Sequence, residues 1–180
     1  MELEKLKFYR IDINYIKYLY QFDKRVQYNK NREDEYTKRR VYLGIVMQVN
    51  DINYFVPLEH PRPEHQKIKN NIFIFKIHRG RYGMLGLNNM IPVRESELIK
   101  FDINSEKQRY KQILISQYHF CNKHIKEIKN KAIETYNKSL NNKFFKKVCC
   151  NFKLLFDVHR FNCSSNLWHH VSRQYTLVNK

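Results

Sequence analysis

The chain has 180 residues, 42% of them hydrophobic, which suits one compact domain with its own core. It carries 34 Lys and Arg against 17 Asp and Glu, a formal charge of +17 at pH 7. No apolar run reaches membrane-span length and the N-terminal stretch lacks the apolar core of a signal peptide. The four cysteines form no C-x-x-C, so a cytoplasmic protein with reduced thiols and no membrane partner is expected.

In chain order, KLKFYRI reads as a short first strand. DINYIKYLYQF follows with Tyr15, Ile16, Tyr18, Leu19 and Phe22 at helical spacing and Asp12 placed to cap the helix. Residues 23–40, DKRVQYNKNREDEYTKRR, show no apolar periodicity, and a loop of that length inside a domain is usually functional or disordered. VYLGIVMQV and INYFVPL then form a hairpin about Asn50 and Asp51. NIFIFKIH alternates with apolar residues on both faces, which predicts a strand in the middle of its sheet. RGRYG is a turn. MLGL and MIPV are short strands broken at Asn88 and Asn89, and ELIKFDI closes the strand-rich part.

From about Ser105 the period changes. Tyr110, Ile113, Leu114, Tyr118, Cys121, Ile125, Ile128 and Ala132 share one helical stripe, and a second helix runs from Asn151. Strands first and helices after predict an α+β domain with a largely antiparallel sheet over residues 1–162, followed by a C-terminal tail at 163–180 that fits neither pattern.

The positive charge is spread along the chain and interleaved with 13 Tyr and 12 Phe. Cations for phosphates and aromatic faces for bases are what single-stranded nucleic acid requires. The competing explanation is a Lys-, Asn- and Ile-rich composition inherited from an AT-rich genome. A DNA-binding regulator is the weakest reading, since no short helix pair with a recognition helix is evident.

Metal ligation by Cys121-x-x-His124 and His159-x-x-x-Cys163 is weighed and set aside: Cys121 falls on the apolar stripe and the pairs share no compact module. With four glycines there is no phosphate-cradling fingerprint, and the acidic residues are too scattered for two-metal hydrolysis. Phosphoryl transfer without metal or other cofactor remains. RNA brings its own nucleophile, the 2′-hydroxyl, so cleavage needs a base, an acid and cations around the phosphorane.

PLEHPRPEHQ, residues 57–66, offers such groups. Prolines after His60 and Arg62 push both residues toward extended backbone, so the stretch from Glu59 to Pro63 is stiff and the two side chains tend to share a side. Histidine suits the base; arginine stabilises charge but holds its proton. Glu64 and His65 read as solvated.

KFYRIDINYIKYLYQFDKRV, YLGIVMQV, YFVPL with its polar proline loop, NNMIPV and CNFKLLFD, in that order over residues 6 to 160, closely resemble the ToxN/AbiQ endoribonuclease toxins of type III toxin–antitoxin systems. The resemblance implies a domain related to the MazF/CcdB toxins, with a partly closed antiparallel sheet flanked by helices. It implies metal-independent RNA cleavage leaving a 2′,3′-cyclic phosphate and a 5′-hydroxyl. It also implies an inhibitor that is a small repeated RNA folded as pseudoknots, which the toxin cuts from a precursor and holds in a cyclic or dimeric assembly. The biological role so implied is abortive infection against phage, with cellular and phage RNA as substrate.

Carried over residue by residue, the family's loop tyrosine falls on Tyr36 and its first-helix tyrosine on Tyr15. The active-site lysine becomes Arg40. After Pro57-Leu58, where many relatives have a hydroxyl pair, proline and lysine, this chain has Glu59-His60, Pro61 and Arg62, so His60 stands where the family's serine does. The expected catalytic set is therefore Tyr36, Arg40, His60 and Arg62. The expected RNA contacts are Tyr15, Lys38, Arg39, Glu59, Lys67, Lys69, Arg79 and Arg81, with packing an equal explanation for Tyr15. A non-catalytic relative that only binds the antitoxin RNA is the alternative.

Overall fold

The computed structural model describes residues 4–28 and 40–161. The expected strand at the N-terminus is β1, Lys7–Ile11, with Phe8 and Arg10 turned inward and Lys7 exposed. Helix α1, Ile13–Phe22, starts where the sequence places it: the Asp12 carboxylate accepts the backbone N–H groups of Asn14 (2.8 Å) and Tyr15 (3.2 Å). Strands β2, Tyr42–Val49, and β3, Ile52–Glu59, form the expected hairpin. Asn50 and Asp51 turn it at φ 44° and 63°, the left-handed pair that matches strand twist and that Asn and Asp tolerate best among residues with a side chain.

Four short strands complete the sheet: β4 (Ile74–Lys76), β5 (Met84–Gly86), β6 (Ile91–Pro92) and β7 (Leu98–Lys100). The order is β4-β5-β3-β2-β1-β7, with β6 also on β3, and every pairing is antiparallel. The path is open, with β4 and β7 at its two ends. Phe8, Leu43 and Val56 lie opposite one another across β1, β2 and β3, so they share a face. Tyr118 packs on Phe8 from one helix, while Tyr136 and Phe152 pack on Tyr54 from two others.

Those helices are α3 (Gln108–Lys123), α4 (Ile125–Asn141) and α6 (Phe152–Phe161), with two shorter ones, α2 (Glu64–Lys67) and α5 (Lys143–Val148). The α+β architecture with an antiparallel sheet and flanking helices is as expected. Three details differ. NIFIFKIH yields only a three-residue edge strand. Its residues are apolar on both sides because helices cover it: Phe75 meets Phe120 and His124, and Phe73 meets Phe144 and Phe145. The single stripe from Ser105 divides into α3 and α4 at His124, whose N–H reaches the carbonyls of both Phe120 and Cys121 while its Nδ1 lies 2.8 Å from the Phe120 carbonyl. Finally, the stiff stretch from Glu59 ends one residue early. Pro63 adopts helical backbone, φ −54° and ψ −35°, and opens α2, a proline's natural place at a helix start. The tail at 163–180 lies outside the described residues.

Between α1 and α6 sits a buried polar contact. The Tyr15 hydroxyl lies 2.8 Å from the Pro92 carbonyl and 2.8 Å from His159 Nδ1. A carbonyl can only accept, so the single phenolic proton goes to Pro92 and Nδ1 carries the imidazole proton. His159 is thus a neutral donor inside the fold. Burial, and then the Arg94 charge, hold its pKa down to about 4. An unfolded histidine titrates near 6.5, so the folded form binds fewer protons between these values. Stability should be complete above about pH 6.5 and should fall as pH drops toward 4, by on the order of 3 kcal/mol from this one residue. Urea midpoints across that window check this, and His159→Gln should flatten the slope. Tyr15→Phe, which leaves the Pro92 carbonyl and the imidazole N–H without a partner, should cost about 1–3 kcal/mol while leaving affinity for single-stranded RNA unchanged.

Candidate active site

Backbone pairing brings the functional segments together. Tyr42 lies opposite Pro57 and the Leu58 N–H bonds to the Val41 carbonyl at 2.9 Å. Continued by one residue, that register sets Arg40 beside Glu59. On the other edge of β3, Glu59 pairs with Met84. The start of β2, the end of β3 and the start of β5 therefore meet at one end of the sheet, and His60 and Arg62 leave from it, both exposed.

The first turn of α3 supplies the next group. Tyr110 lies with its ring 5.0 Å from His60, the planes tilted by 41°. Burial and then the Glu106 charge push its phenol up to about 12, against the Arg10 and Arg40 charges. Tyr110 is therefore a proton donor at neutral pH and not a base. The Arg40 charge also acts on Tyr42, whose phenol burial likewise raises to about 12. The His60 ring thus packs against Tyr110, and the Arg40 charge acts on the same phenol. The start of α3 is held in turn by Arg10, which is buried, bonds Glu106 at 2.7 Å and lies 4.7 Å over the Phe101 ring. Removing one partner of such a buried pair typically costs about 3–5 kcal/mol.

Glu59 faces a second cluster. Its Oε1 accepts from Gln27 Nε2 at 3.2 Å, which also reaches Asn89 Oδ1 at 3.2 Å, and Asn89 Nδ2 donates to the Arg25 carbonyl at 2.9 Å. Its Oε2 lies 4.0 Å from His65 Nε2. That separation is too long for a hydrogen bond. Burial, and then Arg62, lower the His65 pKa against the pull of Glu59 and Glu64, so the pair is not a charged one at neutral pH. His65, expected to be solvated, is 3% exposed and forms the floor of the loop.

Two glycines seat this loop on the 77–83 turn. A Cβ at Gly83, φ +87°, would fall 2.1 Å from the Glu59 carbonyl oxygen, and one at Gly80, φ +90°, 2.7 Å from that of His65. Only glycine fits either place. The same turn carries Arg79 and Arg81, while Lys67 ends α2 and Lys69 follows it, all four exposed. Lys76 Nζ ties the chain there by bonding the Gln66 and Ile68 carbonyls at 3.1 and 2.8 Å.

Of the expected site residues, Arg40, Glu59, His60 and Arg62 gather at this end of the sheet, with Lys67, Lys69, Arg79 and Arg81 on the surface around it. Tyr36, Lys38 and Arg39 lie outside the described residues. Tyr15 is corrected: it is 3% exposed, bonded inside the fold, and turns no surface to a ligand. Of the residues weighed for zinc, Cys121 is fully buried in the core and Cys163 lies outside the described residues. Sequence reasoning missed Tyr110, Gln27, Asn89 and His65. Tyr110 was hidden in the apolar stripe it also belongs to; Gln27 carries no signal of its own.

A family model described as toxin ToxN, type III toxin–antitoxin system, matches residues 7–160. Endoribonuclease ToxN of Bacillus thuringiensis subsp. kurstaki is 31% identical over 159 residues, covering 83% of this chain and 80% of that protein. Endoribonuclease ToxN of Pectobacterium atrosepticum is 32% identical over 163 residues, 86% of this chain and 92% of its own. Among solved structures, AbiQ, a lactococcal anti-phage endoribonuclease of a type III toxin–antitoxin system, matches with a TM-score of 0.75 at 27% identity. It covers 89% of this chain and 100% of that one. A type III system with selective toxin inhibition by a non-coding RNA pseudoknot matches with the same score at 29% identity, over 89% of this chain and 99% of that one. On sequence and fold together, the chain belongs to the ToxN family of type III toxin–antitoxin toxins.

Proposed function

We propose that this protein is an endoribonuclease toxin that cuts RNA without a metal ion, acts in the cytoplasm, and is held inactive by a repeated pseudoknot RNA in a cyclic or dimeric complex. Its relatives are endoribonucleases, and the observation that carries the reading for this chain is the exposed His60 ring 5.0 Å from Tyr110, on the loop after β3 that also exposes Arg62.

In the proposed reaction His60 takes the proton of the 2′-hydroxyl as O2′ attacks the adjacent phosphorus. The bond to the 5′-oxygen breaks, giving a 2′,3′-cyclic phosphate; the leaving oxygen takes a proton from solvent water to become a 5′-hydroxyl, and His60 returns its proton to solvent. Arg40 and Arg62 neutralise the extra charge on the phosphorane, which they can do in both ground and transition states because a guanidinium keeps its proton. The Tyr110 phenol, protonated and next to His60, is placed to donate a hydrogen bond to the same phosphate. Tyr36, carried over from the family, completes the set from the loop before β2. Lys67, Lys69, Arg79, Arg81, Lys38 and Arg39 hold flanking phosphates, and Glu59 acts from the floor of the site.

His60→Ala should slow cleavage of single-stranded RNA about 10²- to 10⁴-fold with little loss of affinity or stability. Cleavage at the parental rate would remove His60 from the chemistry. Arg62→Ala should slow cleavage and weaken binding together, with Arg62→Lys recovering part of the rate. Activity should persist in EDTA and yield cyclic phosphate ends; loss in EDTA restored by a divalent ion would overturn the metal-free reaction. A protein that binds RNA tightly and leaves it intact under all these conditions would instead be a binding relative.

Affinity for the RNA should fall steeply with salt, with a slope in log–log form of about 0.7 per phosphate neutralised. Binding that ignores salt would make the +17 charge incidental.

A further inference from the structure

The turn between β4 and β5 holds two consecutive side-chain-bearing residues in the left-handed region, His78 at φ 47°, ψ 53° and Arg79 at φ 58°, ψ 25°. Such backbone persists where its surroundings impose it. Both side chains are exposed, so burial in the core does not explain their placement.

The rings explain more. Phe120 stacks on His124 at 4.1 Å and 28°, and His78 continues the series at 4.2 Å from Phe120. Tyr82 stands edge-on to His78 at 5.0 Å, with the Arg81 guanidinium 5.8 Å from the Tyr82 ring. A cavity of about 370 Å³ opens among His78, Arg79, Arg81, Tyr82 and Phe120. The stack begins inside, where the buried Phe75 meets Phe120 and His124, and ends at the exposed His78.

We propose that this cavity is a second RNA subsite, which takes an unpaired nucleobase against His78 and Tyr82 with its neighbouring phosphates on Arg79 and Arg81. Aromatic faces accept any base, and the two guanidiniums supply the charge that the backbone needs. The subsite adjoins the active end of β3, because Gly80 of this turn touches the His65 backbone and Gly83 that of Glu59. Helix α3 carries both Tyr110 and Phe120, ten residues or about 15 Å apart along its axis, so one strand can reach both places. The choice of ligand rests on the RNA reading, but the subsite itself does not require cleavage.

The test uses a single-stranded 2′-O-methyl oligonucleotide, which cannot be cut, with 2-aminopurine moved along its length. One position should be quenched on binding. His78→Asn removes the ring while keeping a residue that tolerates left-handed backbone. It should abolish that quenching and weaken binding about 10-fold, with an unchanged melting temperature. The Arg79→Gln, Arg81→Gln double variant should lower the salt slope by about 1.4. Turnover of a dinucleotide, which reaches only the active end of β3, should be unaffected by His78→Asn. Unchanged quenching and affinity in His78→Asn would overturn the subsite, as would a parallel loss of dinucleotide turnover. His78-dependent binding by a protein that never cuts RNA would leave the subsite standing and overturn the nuclease reading.

Discussion

Strand β3 is hydrogen-bonded along both edges, and the rest of the molecule is built on that constraint. β2 runs the length of one edge, while β6 takes Tyr54 and Phe55 on the other and β5 takes Leu58 and Glu59. A strand paired on two sides cannot slip register without turning its whole buried set outward. Its end is therefore a fixed point, and the polar loop that follows starts from a known place and direction. Arg40 arrives at the same point because it precedes the strand that pairs with β3. The loop's own stiffness, from Pro61 and Pro63, then matters less than where the loop is rooted.

Two loops meet beyond that point, and their contact is made of backbone. Gly80 and Gly83 let the 77–83 turn approach the carbonyls of His65 and Glu59 more closely than any side chain would allow. The turn's own ladder, Tyr82 N–H to Ile77, Arg81 N–H to His78 and Gly83 N–H to Gly80, fixes its curvature. Gln117 of α3 donates to the Tyr82 carbonyl at 2.6 Å and ties the same turn to the helix that carries Tyr110. Loop, turn and helix are thus one connected unit, so groups that are far apart in sequence can act on one strand of RNA.

The elements most legible in sequence were those set by local chemistry. Asp12 as a cap, the Asn50–Asp51 hairpin and the Asn151 helix each depend on residues next to one another, and each is where the spacing places it. What was not legible depends on distant partners. NIFIFKIH is apolar on both sides whether it lies mid-sheet or at an edge under helices, and only the tertiary cover separates the two. The helical stripe crosses His124 without a visible stop, since no proline or glycine marks the break. His65 looks like any histidine in a polar loop until the fold closes over it. Tyr110 is apolar enough to sit in a helix stripe and polar enough to sit in a site, and it does both. The 57–66 loop stands out in sequence by its prolines beside His60 and Arg62, and the resemblance to known toxins adds Tyr36 and Arg40 to it.

Glu59 poses the last physical question of the site, because a carboxylate beside a phosphate repels it. The structure answers by spending that charge internally. One carboxylate oxygen accepts from Gln27, which is held in turn by Asn89, and the other faces the buried His65. Asn89 also donates to the Arg25 carbonyl, and Arg25 is clamped by both oxygens of Asp23, one of which, Oδ2, also accepts the Asn151 N–H at 2.6 Å. The carboxylate is therefore the end of a polar chain that runs from α6 through the loop after α1 to the tip of β3. Lysines and arginines outnumber acids two to one in this protein, so a charge of the scarce sign can anchor a cationic loop from beneath. With Glu59 turned into that network, the outward side of the same loop is left to His60 and Arg62, the groups that a phosphate attracts.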